Sequence, residues 1–250
     1  MNYIRIMKPF RSIYFLEVIL GALIGLNFNY NFLSLIGIVT VFISFQMIYS
    51  SIYILNDLID YEKDKKDPVK SKRTIASGLI KRKNAFAFSM ILILISLFIA
   101  AAYSAILLGF EIFFLFFNLI YSLILKKIPY VDSFSNGITH PLRFALGMVL
   151  FNGKFNIYII LSIFILSSGL SFLKRHKELR QETFGRSTLS YYNPNCIIYI
   201  LILLGIVLGL ISFVSMNMFV LSTSLFYILL LICYFMNKGF RNWFNRILTY

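Results

Sequence analysis

The sequence predicts an all-α fold: a polytopic transmembrane bundle of about eight helices. Three observations lead there. Of 250 residues, 59% are hydrophobic and only 14% charged, and the mean hydropathy of +0.81 lies outside the range of soluble domains. The apolar residues fall into stretches near the ~20 residues that a helix needs to cross a bilayer core, and in lipid a helix satisfies every backbone group internally. The cations are confined almost entirely to alternate connections between those stretches.

The first stretch, Ile13–Phe28, follows Arg5, Lys8 and Arg11 and is interrupted by Glu17. It lacks a small-residue cleavage site near Gly25, so it reads as a retained helix rather than a signal peptide. Phe32–Leu55 comes next and runs without a breaker into Asn56. Ala85–Leu108 and the shorter Ile112–Leu125 are read as separated by LGFE at 108–111, and Phe134–Phe151 is interrupted by Pro141 and Arg143. Phe155–Leu173, Cys196–Val214 and Met218–Met236 complete the set. Cys196 and Cys233 have no metal-ligand or pairing pattern and read as packing residues.

Cation placement tests this count independently. Three Lys and Arg precede the first stretch, nine lie between the second and third, two follow the fourth, five the sixth and three the eighth, so these segments hold 22 of the 24. The intervening connections NFNYN at 27–31, LGFE, and SMN at 215–217 contain none. By the positive-inside rule both termini face the cytoplasm, as do loops near 56–84, 126–133 and 174–195 of a single transmembrane domain, 1–250, in the plasma membrane. The net charge of +14 is therefore first a topology signal, and nucleic acid is not an expected partner.

Against that basic background, five of the ten acidic residues lie between Asp57 and Asp67, in NDLIDYEKDKKDPVKSKRTIASG, residues 56–78. If the second helix continues past the membrane surface, Asn56, Asp57, Asp60 and Asp64 share one face at spacings of three and four. Carboxylates held so close repel one another, and a hard divalent cation resolves the repulsion. Mg²⁺, held by one or two carboxylates plus substrate phosphates, suits such a comb. The alternative is a solvated loop in which Asp and Lys alternate for solubility.

Arg143 lies inside the fifth stretch, where an isolated cation is costly, so it needs an anion: a ligand, or Asp132 or Glu17. Lys126 ends the fourth stretch. Lys174 and Glu178 stand i,i+4 on one helical face and Arg175 on another, a set suited to phosphate. For Lys63, Lys65, Lys81, Arg82 and Lys83 topology is the sufficient reading. His140 and His176 are lone histidines, and Tyr121 and Tyr130 suit interfacial anchoring.

These residues carry a family resemblance. NDLIDYEKD resembles the Asn-Asp-x-x-Asp-x-x-x-Asp motif of the UbiA superfamily of intramembrane prenyltransferases. DPVKSKRTIASG resembles the branch that makes decaprenylphosphoryl-5-phosphoribose, with Asp67 where that branch has His and Thr74 where it has Pro. YSLILKKIPYVDSFSNGITHPLRFALG, 121–147, and SFLKRHKELRQETFGRSTLSYY, 171–192, are similar to its later blocks, with Lys174, Arg175 and Glu178 where many other members carry a second aspartate-rich motif. The resemblance implies a nine-helix bundle where eight are read here. It implies Mg²⁺ held by Asn56, Asp57, Asp60 and Asp64, the three aspartates being catalytic, and a place in cell-envelope biosynthesis. Asn56, Lys70, Arg73, Tyr121, Lys126, Arg143, Lys174, Arg175, Glu178 and Arg186 would bind substrate, and a homo-oligomer is compatible with it.

The expected reaction is Mg²⁺-dependent transfer of 5-phosphoribose from phosphoribosyl pyrophosphate to a polyprenyl phosphate, releasing diphosphate. Two alternatives stand beside it. One is a prenyltransferase with a polyprenyl diphosphate donor and an aromatic or lipid acceptor. The other is a transporter or binding protein whose acidic loop senses a cation.

Overall fold

The computed structural model describes residues 2–29, 31–180 and 187–247, and among them every regular element is helical. In chain order the α-helices are α1 (Asn2–Met7), α2 (Phe15–Gly25), α3 (Phe32–Ile59), α4 (Tyr61–Lys66), α5 (Arg82–Tyr103) and α6 (Ala105–Leu123), followed by α7 (Val131–Leu150), α8 (Ile157–Arg180), α9 (Pro194–Ser215), α10 (Met218–Met236) and α11 (Lys238–Ile247). Short 3-10 turns occupy Pro9–Tyr14, Lys70–Lys72, Leu125–Lys127 and Ser187–Tyr191. Six segments among the described residues are long and apolar enough to cross a membrane: α3, α5, α6 with the turn that follows it, α8, α9 and α10.

The other two of the eight apolar stretches are helical but different in kind. In the first, Pro9 opens a 3-10 turn, and the α-helix proper covers 11 residues. Asn27 and Phe28 then take left-handed backbone, which ends it. The fifth, α7, has 20 residues and continues through Pro141, but Asp132, Ser133, Asn136, His140 and Arg143 make it too polar for a lipid-facing span. The connection expected at LGFE, 108–111, is a correction: the chain breaks at Ser104, whose hydroxyl accepts from the Ile106 N–H as a helix N-cap at 3.1 Å. LGFE lies within α6, and Glu111 is fully buried there.

By its internal contacts the chain divides into two compact units, Met1–Ile124 with Arg143–Phe155, and Leu125–Leu142 with Asn156–Tyr250. In the first, α3 packs along α5 and α6. Small side chains allow close approach, and hydroxyls bond across it, as is usual between membrane helices. Ser44 donates to the Ser96 carbonyl at 3.0 Å, and Ser96 to the Ser44 carbonyl at 2.7 Å. The same two hydroxyls lie 2.6 and 2.7 Å from the Glu111 carboxyl oxygens. Phe45, Ile48, Val41 and Phe114 fill the core around this junction.

Within the same unit, α2 and the second half of α7 meet backbone to backbone. A Cβ added to Gly21 would stand 2.0 Å from the Phe144 carbonyl oxygen, and one added to Gly147 2.0 Å from that of Val18. This approach holds Glu17 beside Arg143. In the second unit α8, α9 and α10 pack together and α11 packs on α10. Phe172, Leu173, Ile197, Leu201 and Tyr234 are among its buried residues, and the Tyr227 hydroxyl donates to the Leu201 carbonyl at 3.0 Å.

Gly147→Ala is expected to force α2 and α7 apart and lower stability by about 1–3 kcal/mol, the usual cost of overpacking. Gly209→Ala, whose added Cβ meets nothing within 4 Å, is expected to leave stability undiminished. Thermal unfolding of the two variants in detergent compares them directly.

Candidate active site

The acidic stretch begins on the last turn of α3. The helix extends past Leu55 as the sequence suggests, but it does not run unbroken to Asp64. Asp60 caps it with φ −87° and ψ 3°, and its N–H reaches back to the Asn56 and Leu58 carbonyls. The chain then re-enters helix as α4. Asn56 faces α6, where its side-chain oxygen accepts from the Ser122 hydroxyl at 2.9 Å. Asp57 and Asp64 are buried, with relative exposures of 5% and 2%, while Asp60 is half-buried between the two helices.

What joins Asp57 to Asp64 is Arg73. One guanidinium nitrogen, Nη1, donates to Asp57 Oδ1 at 3.1 Å and to Asp64 Oδ2 at 2.7 Å. A second cation comes from far upstream: Lys8 Nζ lies 2.9 Å from Asp57 Oδ1 and 2.8 Å from Oδ2. Burial nevertheless lifts the Asp64 carboxyl above its ordinary range against the pull of Arg73. It likewise lowers the Lys8 ammonium despite Asp57. Both groups are therefore partly desolvated ions that favour a partner of opposite charge.

The loop that returns Arg73 is built for that placement. The Asp67 carboxylate accepts from the backbone N–H groups of Val69 and Lys70, both at 2.9 Å, and its Oδ2 lies 3.7 Å from Lys70 Nζ. Partial burial would raise its pKa, but those N–H groups and the Lys70 ammonium hold it below the usual carboxylate range. Downstream, Ile75 and Ile80 are buried against Ile6, Ile54, Ala85 and Leu92. Gly78 makes the turn between them at φ +80°, a conformation that favours glycine.

A second constellation adjoins the first through Lys8. Its ammonium lies 4.9 Å from the centre of the Tyr53 ring, and the Tyr53 hydroxyl bonds that of Tyr49 at 3.2 Å. Arg143, 2% exposed, stacks over Tyr14 at 5.0 Å and Tyr49 at 5.9 Å. Its Nε donates to Glu17 Oε2 at 2.7 Å, so Glu17, one of the two carboxylates considered for it, is a partner. Arg11 donates to the Tyr14 hydroxyl at 3.1 Å. The first unit thus carries a polar track from Asp64 through Arg73, Asp57, Lys8, Tyr53 and Tyr49 to Arg143 and Glu17. Sequence reasoning missed Lys8 and the three tyrosines. The spacing of four that links Tyr49, Tyr53 and Asp57 along α3 was the available signal.

The second unit holds its own cluster. Asp132, fully buried, accepts from Arg175 Nε at 2.9 Å and from the Tyr192 hydroxyl. Burial raises the Tyr192 hydroxyl pKa well above its ordinary value, and Asp132 adds to the shift. Arg175 also pairs with Glu178, although the spacing had set those two on different faces; at i,i+3 the guanidinium spans the difference. Lys126 and Lys174 are half-buried, as is Tyr121 in the first unit. His176 bonds the Tyr234 hydroxyl at 3.2 Å, a packing role, and His140 lies within α7. Arg186 lies outside the described residues.

Among the described residues no three His, Cys, Asp or Glu side chains converge in a metal-holding group. Asp57 and Asp64 nevertheless offer hard oxygens within reach of one cation, since a single guanidinium nitrogen touches both. A carboxylate pair completed by substrate oxygens is a donor set that fits Mg²⁺.

The family model for the UbiA prenyltransferase family matches residues 16–246. Among solved structures the chain is similar to a digeranylgeranylglyceryl phosphate synthase, with a TM-score of 0.72 and 20% identity over 99% of this chain and 92% of the other. It is similar to a UbiA homolog from Archaeoglobus fulgidus bound to GPP and Mg²⁺, with a TM-score of 0.72 and 17% identity, covering 96% and 88% of the two chains. An apo UbiA homolog from Aeropyrum pernix K1 gives a TM-score of 0.68 and 14% identity, covering 95% and 94%. A curated relative, the uncharacterized protein y4nM of Sinorhizobium fredii (strain NBRC 101917 / NGR234), is 28% identical over 145 residues, which is 58% of this chain but only 28% of that protein's length. With the family's pattern matched across nearly the whole sequence and its fold found in the helices, the chain belongs to the UbiA prenyltransferase family.

Proposed function

We propose that the chain transfers 5-phosphoribose from phosphoribosyl pyrophosphate to a polyprenyl phosphate, releasing diphosphate, at the face of the bundle that carries Asp57 and Asp64. The observation that carries this reading is Arg73 lying across those two carboxylates. Arg73 belongs to DPVKSKRTIASG, the segment that resembles the phosphoribosyl branch, and the Asp motif is common to the superfamily. Their meeting in one cluster supports a reading in which the donor-specific loop and the proposed metal ligands act on one substrate.

In the reaction the bond between the anomeric carbon and the diphosphate oxygen breaks, its electron pair leaving with diphosphate. A new bond forms from that carbon to an oxygen of the lipid phosphate, which is already anionic, so no strong base is required. Asp57 and Asp64, with Asn56 and Asp60, would hold Mg²⁺, which when bound neutralises charge on the departing oxygens. Arg73, Lys8 and Lys70 would turn from carboxylates to phosphate oxygens as the donor enters, keeping each buried ion paired throughout. Arg143, seated on Tyr14 and Tyr49, provides a fixed positive site for a phosphate. In the second unit, Lys126, Lys174, Arg175 and Arg186 are proposed phosphate ligands, with Glu178 orienting Arg175.

A second reading is supported by the A. fulgidus homolog of like fold that was solved with GPP and Mg²⁺: the same aspartates and Arg73 would hold a prenyl diphosphate. Incubation of purified protein in detergent with Mg²⁺, polyprenyl phosphate and labelled phosphoribosyl pyrophosphate separates the two. Labelled lipid is expected, and it should vanish with EDTA. Turnover of a labelled prenyl diphosphate in its place would overturn the proposal.

Asp57→Ala and Asp60→Ala are expected to abolish turnover, and Asp57→Ala also to lower stability, because Lys8 and Arg73 lose a shared carboxylate. Lys8→Met should raise the donor KM by about tenfold, consistent with loss of one charge-assisted phosphate contact. Asp132→Ala leaves Arg175 buried beside a lost partner and is expected to cost about 3–5 kcal/mol of stability. Thermal unfolding should show part of that loss recovered in the Asp132→Ala/Arg175→Met double variant.

A further inference from the structure

The helix α11, KGFRNWFNRI, turns directly off the end of the membrane-spanning α10. Asn237 serves both: its N–H caps α10 on the Cys233 carbonyl at 3.0 Å, and its side-chain oxygen accepts from the Phe240 N–H of α11 at 2.9 Å. The far end of α11 is also tied down, because the buried ammonium of Lys177 on α8 donates to the Asn245 carbonyl. A helix fixed at both ends beside the end of a span is held near the level at which that span leaves the lipid.

Its apolar residues form one arc, Phe240, Trp243, Phe244 and Ile247, at helical spacings of three and four. The protein covers only half of that arc. Phe244 is buried and Phe240 packs beside it on the cluster of Tyr234 and Phe235. Trp243 and Ile247, on the flank of the same arc, are 57% and 50% exposed. Lys238 and Asn242 stand on the opposite side of the helix, and half-buried Arg241 lies on its Phe244 flank, where its charge reaches His176 and Tyr234. An uncovered apolar flank ending in tryptophan, next to a basic face and continuous with a membrane span, matches the chemistry of a leaflet surface that carries anionic phospholipid.

We infer that α11 is an interfacial lipid-binding helix. Trp243 and Ile247 enter the boundary between head groups and acyl chains, while Lys238 and Arg241 hold the phosphates of anionic lipids. This binding surface is separate from the transfer reaction and does not depend on it.

Trp243 is the only tryptophan in the chain, so its fluorescence reports the helix without labelling. The protein is reconstituted into phosphatidylcholine vesicles with or without phosphatidylglycerol, using lipids brominated near the head group. With phosphatidylglycerol present, the emission is expected to fall about twofold on bromination and to be shielded from aqueous iodide, as for an interfacial indole. Lys238→Gln/Arg241→Gln is expected to restore much of that emission. Iodide quenching with no effect of brominated lipid would overturn the placement. Equal quenching with and without phosphatidylglycerol, unchanged in the double variant, would overturn the anionic preference.

Discussion

A single guanidinium nitrogen, Arg73 Nη1, stands between two carboxylates that the protein has withdrawn from water. Asp57 ends one helix and Asp64 lies on the next, and without a cation their mutual repulsion and desolvation would oppose the turn at Asp60 that brings them together. Much of the surrounding structure serves to deliver that cation. Asp67 holds the start of the returning loop by its backbone N–H groups, Gly78 allows the chain to reverse, and Ile75 and Ile80 fasten it to α3 and α5. Lys8 completes the neutralisation from the far end of the sequence. The 3-10 turn that follows Lys8, α3, α4 and the loop are therefore bound to one another by charge as much as by apolar packing.

The same rule governs other buried ions of the protein. Glu17 meets Arg143, and Asp132 meets Arg175, which in turn meets Glu178. Such pairs contribute little net stability relative to an apolar core, yet losing one partner is severe. Their value here is placement. Each holds a cation at a defined position, already desolvated and already oriented by its carboxylate.

The elements that depend on composition were legible in the sequence: the apolar spans, the extension of α3 beyond Leu55, the polar and interrupted character of α7. Glu17 was named as one of two partners for Arg143 because the cost of an isolated cation in lipid requires a partner. Lys8 was hidden for a related reason. Cations ahead of the first apolar stretch already have a sufficient cause in topology, and nothing local distinguishes the one that reaches Asp57, 49 residues away. LGFE was misread because a glycine followed by a glutamate imitates a connection. Only the serines of two other helices, facing Glu111, make a carboxyl tolerable there. Arg175 was set apart from Glu178 because spacing fixes where a Cα lies and not where a long side chain ends.

The Glu111 junction also bears on how the chain enters the bilayer. A carboxyl group entering the bilayer alone is unfavourable, and chains are synthesised from the N-terminal end. Ser44 and Ser96 lie on α3 and α5, both of which leave the ribosome before α6. When α6 arrives, its acid finds two hydroxyls that precede it in the chain, so its entry into lipid becomes a docking step onto a helix pair already present. The order of α3, α5 and α6 along the chain thus sets both hydroxyls ahead of the acid that they receive.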